Sequence, residues 1–320
     1  MTESLDDYAL QRKSGKQGVL KKVGIIGCGS MGQDIARTVS QHGMDVVFID
    51  QTTERVKEIF SEIDHSLDEI INRWGLTKSD KRAIISRIQG STDYADLKDC
   101  DLIIETINFT SPGTSIEIRK EIFRKVEQVV SKETVITSNT STLIISDLAS
   151  GLINPERAVG LHFLVPAASV DIVEVVKGVK TSERAFDFVV KFAKMIGKKV
   201  VTTHESPGNI STRMIVTLIN EACEVLMEGI APATCIDLTM KKGFGLQFGP
   251  FELADRIGLD KLVKWMDNLH QEFGDQRYKP NPIIKRLYRA GMLGKKTDAG
   301  FYKYKDGKIV GETVHCPEFK

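Results

Sequence analysis

Short runs of apolar and β-branched residues alternate with helical spacing of apolar residues through the first half of the 320-residue chain. Such runs predict strands, the helical spacing predicts helices, and their alternation is typical of a parallel sheet with crossover helices. The predicted strands are Val23–Gly27, Asp45–Asp50, Asp101–Glu105, Thr134–Thr137, Ala158–His162, Ile172–Val176 and Lys199–Thr202, and the predicted helices are Met31–His42, Ile116–Val130 and Glu183–Ile196.

A long charged stretch, Glu54–Ser86, separates the second predicted strand from the third. Its length fits two helices that meet near Gly75, which is more chain than a plain crossover needs. The extra piece is either an inert decoration or a clasp for a ligand.

The chain changes character after Val201, where the apolar spacing becomes helical and strand signals nearly vanish until Phe301–Tyr304. We therefore predict an α/β fold in which a Rossmann-like, doubly wound, mainly parallel sheet is followed by a second, all-helical domain. The predicted units are a polar N-terminal extension over residues 1–20, a sheet domain over 21–204 and a helical domain over 205–320. The predicted buried face of the first long helix of the second domain carries Ile215, Leu218, Ile219, Ala222 and Leu226.

The balance of charged residues bears on whether nucleic acid or an anionic membrane is an expected partner. Lys and Arg total 44 while Asp and Glu total 43, which gives a net charge of +1. Such a balance produces no overall field that would attract nucleic acid or an anionic membrane. Neither is an expected partner, and an anionic ligand has to be held by local groups.

The five cysteines are scattered, with no CxxC pair and no cluster with histidine at metal-ligand spacing. This predicts no metal site and a reducing compartment. No run approaches about 18 apolar residues, and the first 20 residues lack an apolar signal core. By elimination we expect a cytoplasmic protein.

The stretch KKVGIIGCGSMGQDIA carries Gly27, Gly29 and Gly32 directly after a predicted strand and at the start of a predicted helix. Gly27 permits the tight turn, Gly29 lets the backbone approach a pyrophosphate, and Gly32 lets the helix pack close to the strand. Free N–H groups at the start of the helix receive the phosphate charge. Glycine turns without a ligand share this short pattern, so a second signal is needed.

The second signal is Asp50, which ends the next predicted strand 23 residues after Gly27. A carboxylate there accepts hydrogen bonds from the adenosine ribose hydroxyls and repels a 2′-phosphate. Gln51 and Thr52 follow it, with no arginine to meet such a phosphate. The sequence therefore predicts a dinucleotide site that favours NAD over NADP.

A candidate acid–base pair lies in AVGLHFLVPAASVDIVEVV, where His162 ends one apolar run and Glu174 lies in the next, 12 residues later. If the chain turns back near Ala168, the two side chains lie opposite each other on one face. A carboxylate bonded to one imidazole nitrogen fixes the tautomer and leaves the other nitrogen to take a proton from an alcohol. A structural histidine and a solvent-facing glutamate give the same pattern, so the residues alone leave both interpretations open.

These motifs and others resemble the L-3-hydroxyacyl-CoA dehydrogenase family over most of residues 20–305. In chain order they are GCGSMG, FIDQT, DLIIET, SNTS, GLHF, IVEVV, SPG, GFGLQFGPFELADRIGLD and GKKTDAGFYKY. The resemblance implies a Rossmann-like NAD domain, a helical domain that forms most of a homodimer interface, and an active site in the cleft between the two domains.

The resemblance also implies roles for individual residues. His162 is expected to be the general base or acid, Glu174 its partner, and Ser141 a hydrogen-bonding partner of the reacting oxygen. A serine that only stabilises a turn would also explain Ser141. Ser66 and Arg73 stand where the family contacts CoA, although a solvated helix face explains this pair equally well. The expected cofactor contacts are Gly27, Gly29, Ser30, Met31, Gly32, Asp50, Gln51, Glu105, Arg119 and Lys296.

Departures from the family pattern concern the substrate. Val165 replaces the asparagine of the family's HFFNP motif, and Thr212 replaces that of PGFxxNR; both are expected substrate contacts. The loop after Glu105 is several residues longer than in the family, the family's nicotinamide-end glutamate has no clear counterpart, and Arg119 stands where a lysine is usual. These changes put a plain straight-chain substrate in question.

We therefore expect NAD-dependent oxidation of a 3-hydroxyacyl-CoA, or the reverse reduction. Two alternatives stay open. One is a dehydrogenase of a small hydroxy compound without CoA, such as carnitine or a sugar acid, and the other is a non-catalytic NAD-binding protein.

Overall fold

The computed structural model describes residues 20–72, 75–108 and 115–314. An eight-stranded sheet has the order β3-β2-β1-β4-β5-β6-β7-β8, and neighbours are parallel except for the antiparallel pair β6 and β7. The predicted Rossmann-like, mainly parallel sheet is thus confirmed. Its strands are β1 (Lys22–Ile26), β2 (Asp45–Ile49), β3 (Ile88–Ser91), β4 (Leu102–Glu105), β5 (Val135–Ser138), β6 (Ala158–Phe163), β7 (Ile172–Lys177) and β8 (Lys199–His204).

Helices cover both faces of the sheet, which makes the fold doubly wound as predicted. Ile35, Ile59 and Val189 belong to the apolar layer under one face, while Phe123 and Leu148 belong to the layer under the other. The helices of this part are α1 (Ser30–Gln41), α2 (Thr53–Asn72), α3 (Lys78–Ser86), α4 (Ser115–Val129), α5 (Ile145–Leu148) and α6 (Glu183–Met195).

The stretch after β2 forms the two predicted helices, α2 and α3. Thr77 begins α3 with a capping box, because its hydroxyl accepts from the Asp80 N–H and the Asp80 carboxylate accepts from the Thr77 N–H. Lys81 Nζ of α3 lies 2.7 Å from carboxylate oxygens of both Asp64 and Asp68 on α2. These contacts hold the two helices together as an arm beside the sheet.

The C-terminal part is helical, as predicted, and its tail also forms a hairpin. Ile219, Ala222 and Leu226 are buried in a separate apolar core together with Phe251 and Phe301. No helix in the described part of the chain is long and apolar enough to cross a membrane. The elements are α7 (Ser211–Met227), α8 (Ala233–Gly243), α9 (Pro250–Ile257), α10 (Leu259–Phe273), α11 (Pro282–Arg289), β9 (Tyr302–Lys305) and β10 (Lys308–Glu312).

Candidate active site

The side chains of His162 on β6 and Glu174 on β7 contact each other, as predicted. His162 and Glu174 are direct partners in the antiparallel register, and His162 Nδ1 lies 2.7 Å from Glu174 Oε2. Both residues are buried. Because the chain reverses between the two strands, residues 12 apart in sequence share one face of the sheet.

Glu174 also accepts hydrogen bonds at the start of α7. Its Oε1 accepts from the N–H groups of Ile210 (3.2 Å) and Ser211 (2.9 Å), and its Oε2 accepts from Ser211 Oγ at 2.9 Å. Burial acts to raise the pKa of Glu174, but the hydrogen bond and charge of His162 and the bonds from Ser211 outweigh it and hold the pKa below its usual range. The carboxylate is therefore ionised, and it joins the sheet to the helical part.

Ser141 completes a chain of three polar side chains. Its Oγ lies 3.0 Å from His162 Nε2, so the imidazole contacts Glu174 on one side and Ser141 on the other. The turn after β5 that carries Ser141 is fixed by Asn139, whose Oδ1 accepts from the Phe163 N–H at 2.7 Å. The serine of the SNTS motif thus lies beside the end of β6.

The glycine-rich turn between β1 and α1 has the geometry that a dinucleotide needs. Gly27 has φ of +80°, which favours glycine. A Cβ on Gly32 would lie 2.7 Å from the carbonyl oxygen of Gly27, whereas a Cβ on Gly29 would have no neighbour within 4 Å. The space beside Gly29 is open, and the close packing at Gly32 requires a residue without a side chain.

Asp50 lies directly under this turn. Its Oδ2 accepts from the Cys28 N–H at 2.9 Å and its Oδ1 from the Gln51 N–H at 2.8 Å. In the described helix α1, Gly29 is the N-cap, no side chain caps it, and the first turn holds no acidic residue. The backbone N–H groups of Ser30 and Met31, in the first turn, therefore have no acceptor within the helix or from its N-cap side chain. The residues fit a pyrophosphate and a ribose, because donors, room and a carboxylate occur together.

Glu105 and Arg119 form a buried ion pair at the end of β4. The Glu105 carboxylate also accepts from Ser138 Oγ at 2.6 Å and from the Ile107 N–H at 2.7 Å. Arg119 in addition donates to the Ile107 carbonyl oxygen. Glu105 and the Ile107 carbonyl thus hold the guanidinium of Arg119 at the carboxyl end of β4. Arg119 also lines the cavity described next.

A cavity of about 260 Å³ is lined by His162, Ser141 and Arg119. Its wall on the sheet side includes Met31, Arg119, Ser141, His162 and Val165. Nine described residues form its wall on the helical side, and only Thr212 among them was a predicted contact: Ser211, Thr212, Ile215, Leu253, Ile257, Lys261, Lys264, Trp265 and Asn268. The predicted cleft between the sheet part and the helical part therefore exists.

Other predicted contacts do not line this cavity. Ser66 Oγ accepts from Arg37 Nη1 at 2.7 Å on the α2 arm. Lys296 Nζ donates to Asp260 Oδ2 at 2.6 Å in the helical part, and Gln51 is exposed beside Asp50. Arg73, the predicted partner of Ser66 in contacting CoA, lies outside the described residues.

The unpredicted wall residues had a partial signal in the sequence. Lys261, Lys264, Trp265 and Asn268 follow the spacing of one helix face, but polar residues at that spacing normally mark a solvated face. Ser211 had no such signal, since its contact with Glu174 joins residues 37 apart. Only the packing of the helical part on the sheet brings these residues to the cavity.

Comparison with known proteins agrees with this arrangement. Residues 22–206 match the model of the 3-hydroxyacyl-CoA dehydrogenase NAD-binding domain, and residues 208–304 match that of the 3-hydroxyacyl-CoA dehydrogenase C-terminal domain. The chain is 37% identical to a probable 3-hydroxybutyryl-CoA dehydrogenase of Deinococcus radiodurans, over 88% of this chain and 100% of that protein. It is 33% identical to the human mitochondrial hydroxyacyl-coenzyme A dehydrogenase, over 94% of this chain and 97% of that protein.

Comparison with solved structures also finds similarity to a 3-hydroxybutyryl-CoA dehydrogenase. The (S)-3-hydroxybutyryl-CoA dehydrogenase of Ralstonia eutropha superposes with a TM-score of 0.81 at 36% identity, covering 90% of this chain and 100% of that one. Family models that span nearly the whole described chain, and relatives of this identity, define the family. The chain belongs to the 3-hydroxyacyl-CoA dehydrogenase family and is an NAD-dependent oxidoreductase.

Proposed function

We propose that this enzyme oxidises the 3-hydroxyl group of a 3-hydroxyacyl-CoA, or reduces the corresponding ketone, with His162 as the general base or acid. The observation that carries the proposal is the chain Glu174–His162–Ser141 at the wall of the cavity, with contacts of 2.7 and 3.0 Å. The names of the relatives support the substrate class, since those proteins are called 3-hydroxybutyryl-CoA and hydroxyacyl-CoA dehydrogenases.

The hydrogen bonds of the imidazole support its role as a base. An ionised Glu174 can only accept, so in the neutral imidazole of His162 the proton is on Nδ1 and Nε2 has a lone pair. Ser141 Oγ now donates to that lone pair at 3.0 Å. A substrate hydroxyl entering the cavity takes up the same position, gives its proton to Nε2, and has Ser141 as a second partner for its oxygen.

The Gly27–Gly32 turn and Asp50 would hold the cofactor, with the backbone N–H groups of Ser30 and Met31 towards its phosphates. NAD⁺, when bound, would supply the acceptor for the hydride of C3. The residue of this chain that takes the hydroxyl proton is His162, and the products of the balanced reaction are the ketone, NADH and a proton. Glu105 orients Arg119 at the cavity wall, and we infer that Arg119 assists in positioning the nicotinamide end.

Val165 and Thr212 are the proposed contacts of the acyl group, because both line the cavity. Val165, on the sheet side, is 46% exposed, and Thr212, on the helical side, is buried, so the two residues line opposite walls of the cavity. Neither offers the amide of an asparagine, and the reacting region is less polar as a result. Ser66 on the α2 arm and Arg73, which lies outside the described residues, are the proposed contacts of CoA, and Lys296 is a proposed contact near the cofactor.

The test is the initial rate at which NADH or NADPH forms with 3-hydroxybutyryl-CoA and with free hydroxy acids such as carnitine, using NAD and NADP in turn. We expect turnover of the thioester with NAD, and inhibition by free CoA that competes with the thioester. Turnover of carnitine or a sugar acid that free CoA does not inhibit would assign a small-molecule dehydrogenase. No NADH from any of these compounds would refute the proposed activity.

We further propose that the enzyme is a homodimer formed by its helical part and that it works in the cytoplasm. Large apolar side chains are exposed on and near α7 and α8, among them Met214 (68%) and Phe244 (73%), as expected for a covered surface. The described cysteines are all free, which agrees with a reducing compartment. Light scattering would give the mass of a dimer, and a stable monomer would contradict the assembly.

A further inference from the structure

Four residues of α10 that line the cavity share one face of that helix: Lys261, Lys264, Trp265 and Asn268. Their spacing of i, i+3, i+4 and i+7 is that of the stripe by which a helix packs on the interior, and such a stripe is usually apolar. In α10 two of the four positions are lysines. The helix therefore brings positive charge into the wall of the cavity that holds His162.

The charge of Lys261 is available to the cavity. Its neighbour Asp260 is already paired with Lys296 at 2.6 Å, and within the described ranges no carboxylate oxygen lies within 4.0 Å of Lys261 Nζ. Burial lowers the pKa of Lys261, while burial and the charge of Arg119 lower that of Lys264. A desolvated ammonium group such as that of Lys261 is costly, and a bound anion offsets that cost.

The described residues of the cavity wall carry no negative charge that could pair with Lys261. Among the described residues that line the cavity there is no aspartate or glutamate. Ile215, Leu253 and Ile257 line it on the same helical side as the two lysines. An apolar wall with a cationic end is suited to an alkyl chain that ends in a negative charge.

Asn268 marks the position along α10 that lies beside the turn carrying Ser141. Its Nδ2 donates to Thr142 Oγ1 at 2.8 Å, next to Ser141 in the chain. At 1.5 Å per residue, Lys264 lies about 6 Å and Lys261 about 10 Å further along the axis of α10. An anion bound by Lys261 is therefore expected towards the far end of the cavity wall from Asn268 and Thr142, and so away from the carbon that reacts beside His162.

We propose that the preferred substrate is a 3-hydroxyacyl-CoA whose acyl chain ends in a carboxylate, which Lys261 binds. This inference rests on the proposed function and names its substrate class. Lys261 selects the substrate and takes no part in the proton or hydride transfer.

The experiment compares two thioesters of equal chain length, 3-hydroxyadipyl-CoA, which ends in a carboxylate, and 3-hydroxyhexanoyl-CoA, which ends in a methyl group. We expect kcat/KM with NAD to be at least about tenfold higher for 3-hydroxyadipyl-CoA, as a charge-assisted hydrogen bond provides. Isothermal titration of the cofactor-free enzyme with each thioester should show the same order of Kd. Turnover of 3-hydroxyhexanoyl-CoA equal to or better than that of 3-hydroxyadipyl-CoA overturns the inference and leaves the proposed function standing.

Variants of Lys261 assign the effect to that residue. Lys261→Met should remove the preference, through a loss for 3-hydroxyadipyl-CoA with little change for 3-hydroxyhexanoyl-CoA, and Lys261→Arg should keep most of it. Lys180→Met is the matched control, because Lys180 is exposed and lies outside the cavity wall. Circular dichroism melting checks that each variant is folded.

The affinity for NADH separates this role from a cofactor role. Quenching of protein fluorescence by NADH should give the same Kd for Lys261→Met and for the unchanged enzyme. If Lys261→Met weakens NADH binding and leaves the ratio between the two thioesters unchanged, the amine serves the dinucleotide and the inference is wrong.

Discussion

Replacing Glu174 with glutamine tests how much of the activity depends on one negative charge. The carboxylate accepts four hydrogen bonds, from His162 Nδ1, Ser211 Oγ and the N–H groups of Ile210 and Ser211. Glu174→Gln keeps the shape of the side chain but has one oxygen and one NH₂ group. If the oxygen continues to accept the two backbone N–H groups, the NH₂ group has to face the imidazole.

The size of the effect follows from the tautomer. An NH₂ group facing Nδ1 requires a lone pair there, which moves the imidazole proton to Nε2. Nε2 can then no longer accept the substrate proton. General-base catalysis contributes about 10² to 10⁴ in rate, so kcat should fall by that factor, which corresponds to roughly 2.7–5.4 kcal/mol in the barrier.

The assay is kcat and kcat/KM for NADH formation, with the Kd of NADH from fluorescence quenching as a second readout. Glu205→Gln is the matched control, because Glu205 also accepts from a serine hydroxyl and two N–H groups, those of Ser146 and Val179, but lies outside the cavity wall. We expect unchanged NADH affinity in both variants and a loss of kcat only in Glu174→Gln. A kcat for Glu174→Gln within about threefold of the unchanged enzyme would refute the tautomer argument.

Two further predictions concern the nucleotide turn and pH. Gly29→Ala should leave the melting temperature unchanged, because φ at this position is −69° and a Cβ there meets only open space. The same methyl group would occupy the space of the pyrophosphate, so the Kd of NADH should rise by about tenfold or more. Gly32→Ala, whose Cβ would meet the Gly27 carbonyl oxygen, should lower the free energy of unfolding by about 1–3 kcal/mol. Equal melting temperatures for these two variants would contradict the packing argument. Because the pKa of Glu174 is held below its usual 4.5, the ionised carboxylate contributes stability above that pH which is lost as the pH falls through the folded value. The difference in melting temperature between the unchanged enzyme and Glu174→Gln should therefore shrink on going from about pH 6 to about pH 3, and a constant difference would contradict the shift.

Strand β4 was predicted correctly because burial on both faces makes it a continuous apolar run. Ile103 and Ile104 of β4 are both fully buried, as expected inside a sheet covered by helices. β3 was missed because its residues after Ile88 are Gln89, Gly90 and Ser91, which form no apolar run. It exists through its parallel pairing with β2 at the edge of the sheet, and pairing over that distance leaves no local pattern.

In the candidate site, too, local contacts could be predicted from the sequence, whereas contacts between distant elements could not. The contact of His162 with Glu174 was predictable, since both lie in one local strand pair and alternation fixes the face. The contacts of Ser211 with Glu174 and of Asn268 with Thr142 depend on how the helical part packs on the sheet. Such packing is decided by the shapes of two separately formed cores and cannot be read from residue spacing.

The central claim is that His162 transfers the substrate proton beside a bound dinucleotide. The most direct measurement is kcat for NADH formation from 3-hydroxybutyryl-CoA by His162→Gln, with the Kd of NADH measured on the same preparation. The account predicts a kcat lower by about 10²- to 10⁴-fold at nearly unchanged NADH affinity. Turnover by His162→Gln at the rate of the unchanged enzyme would contradict it.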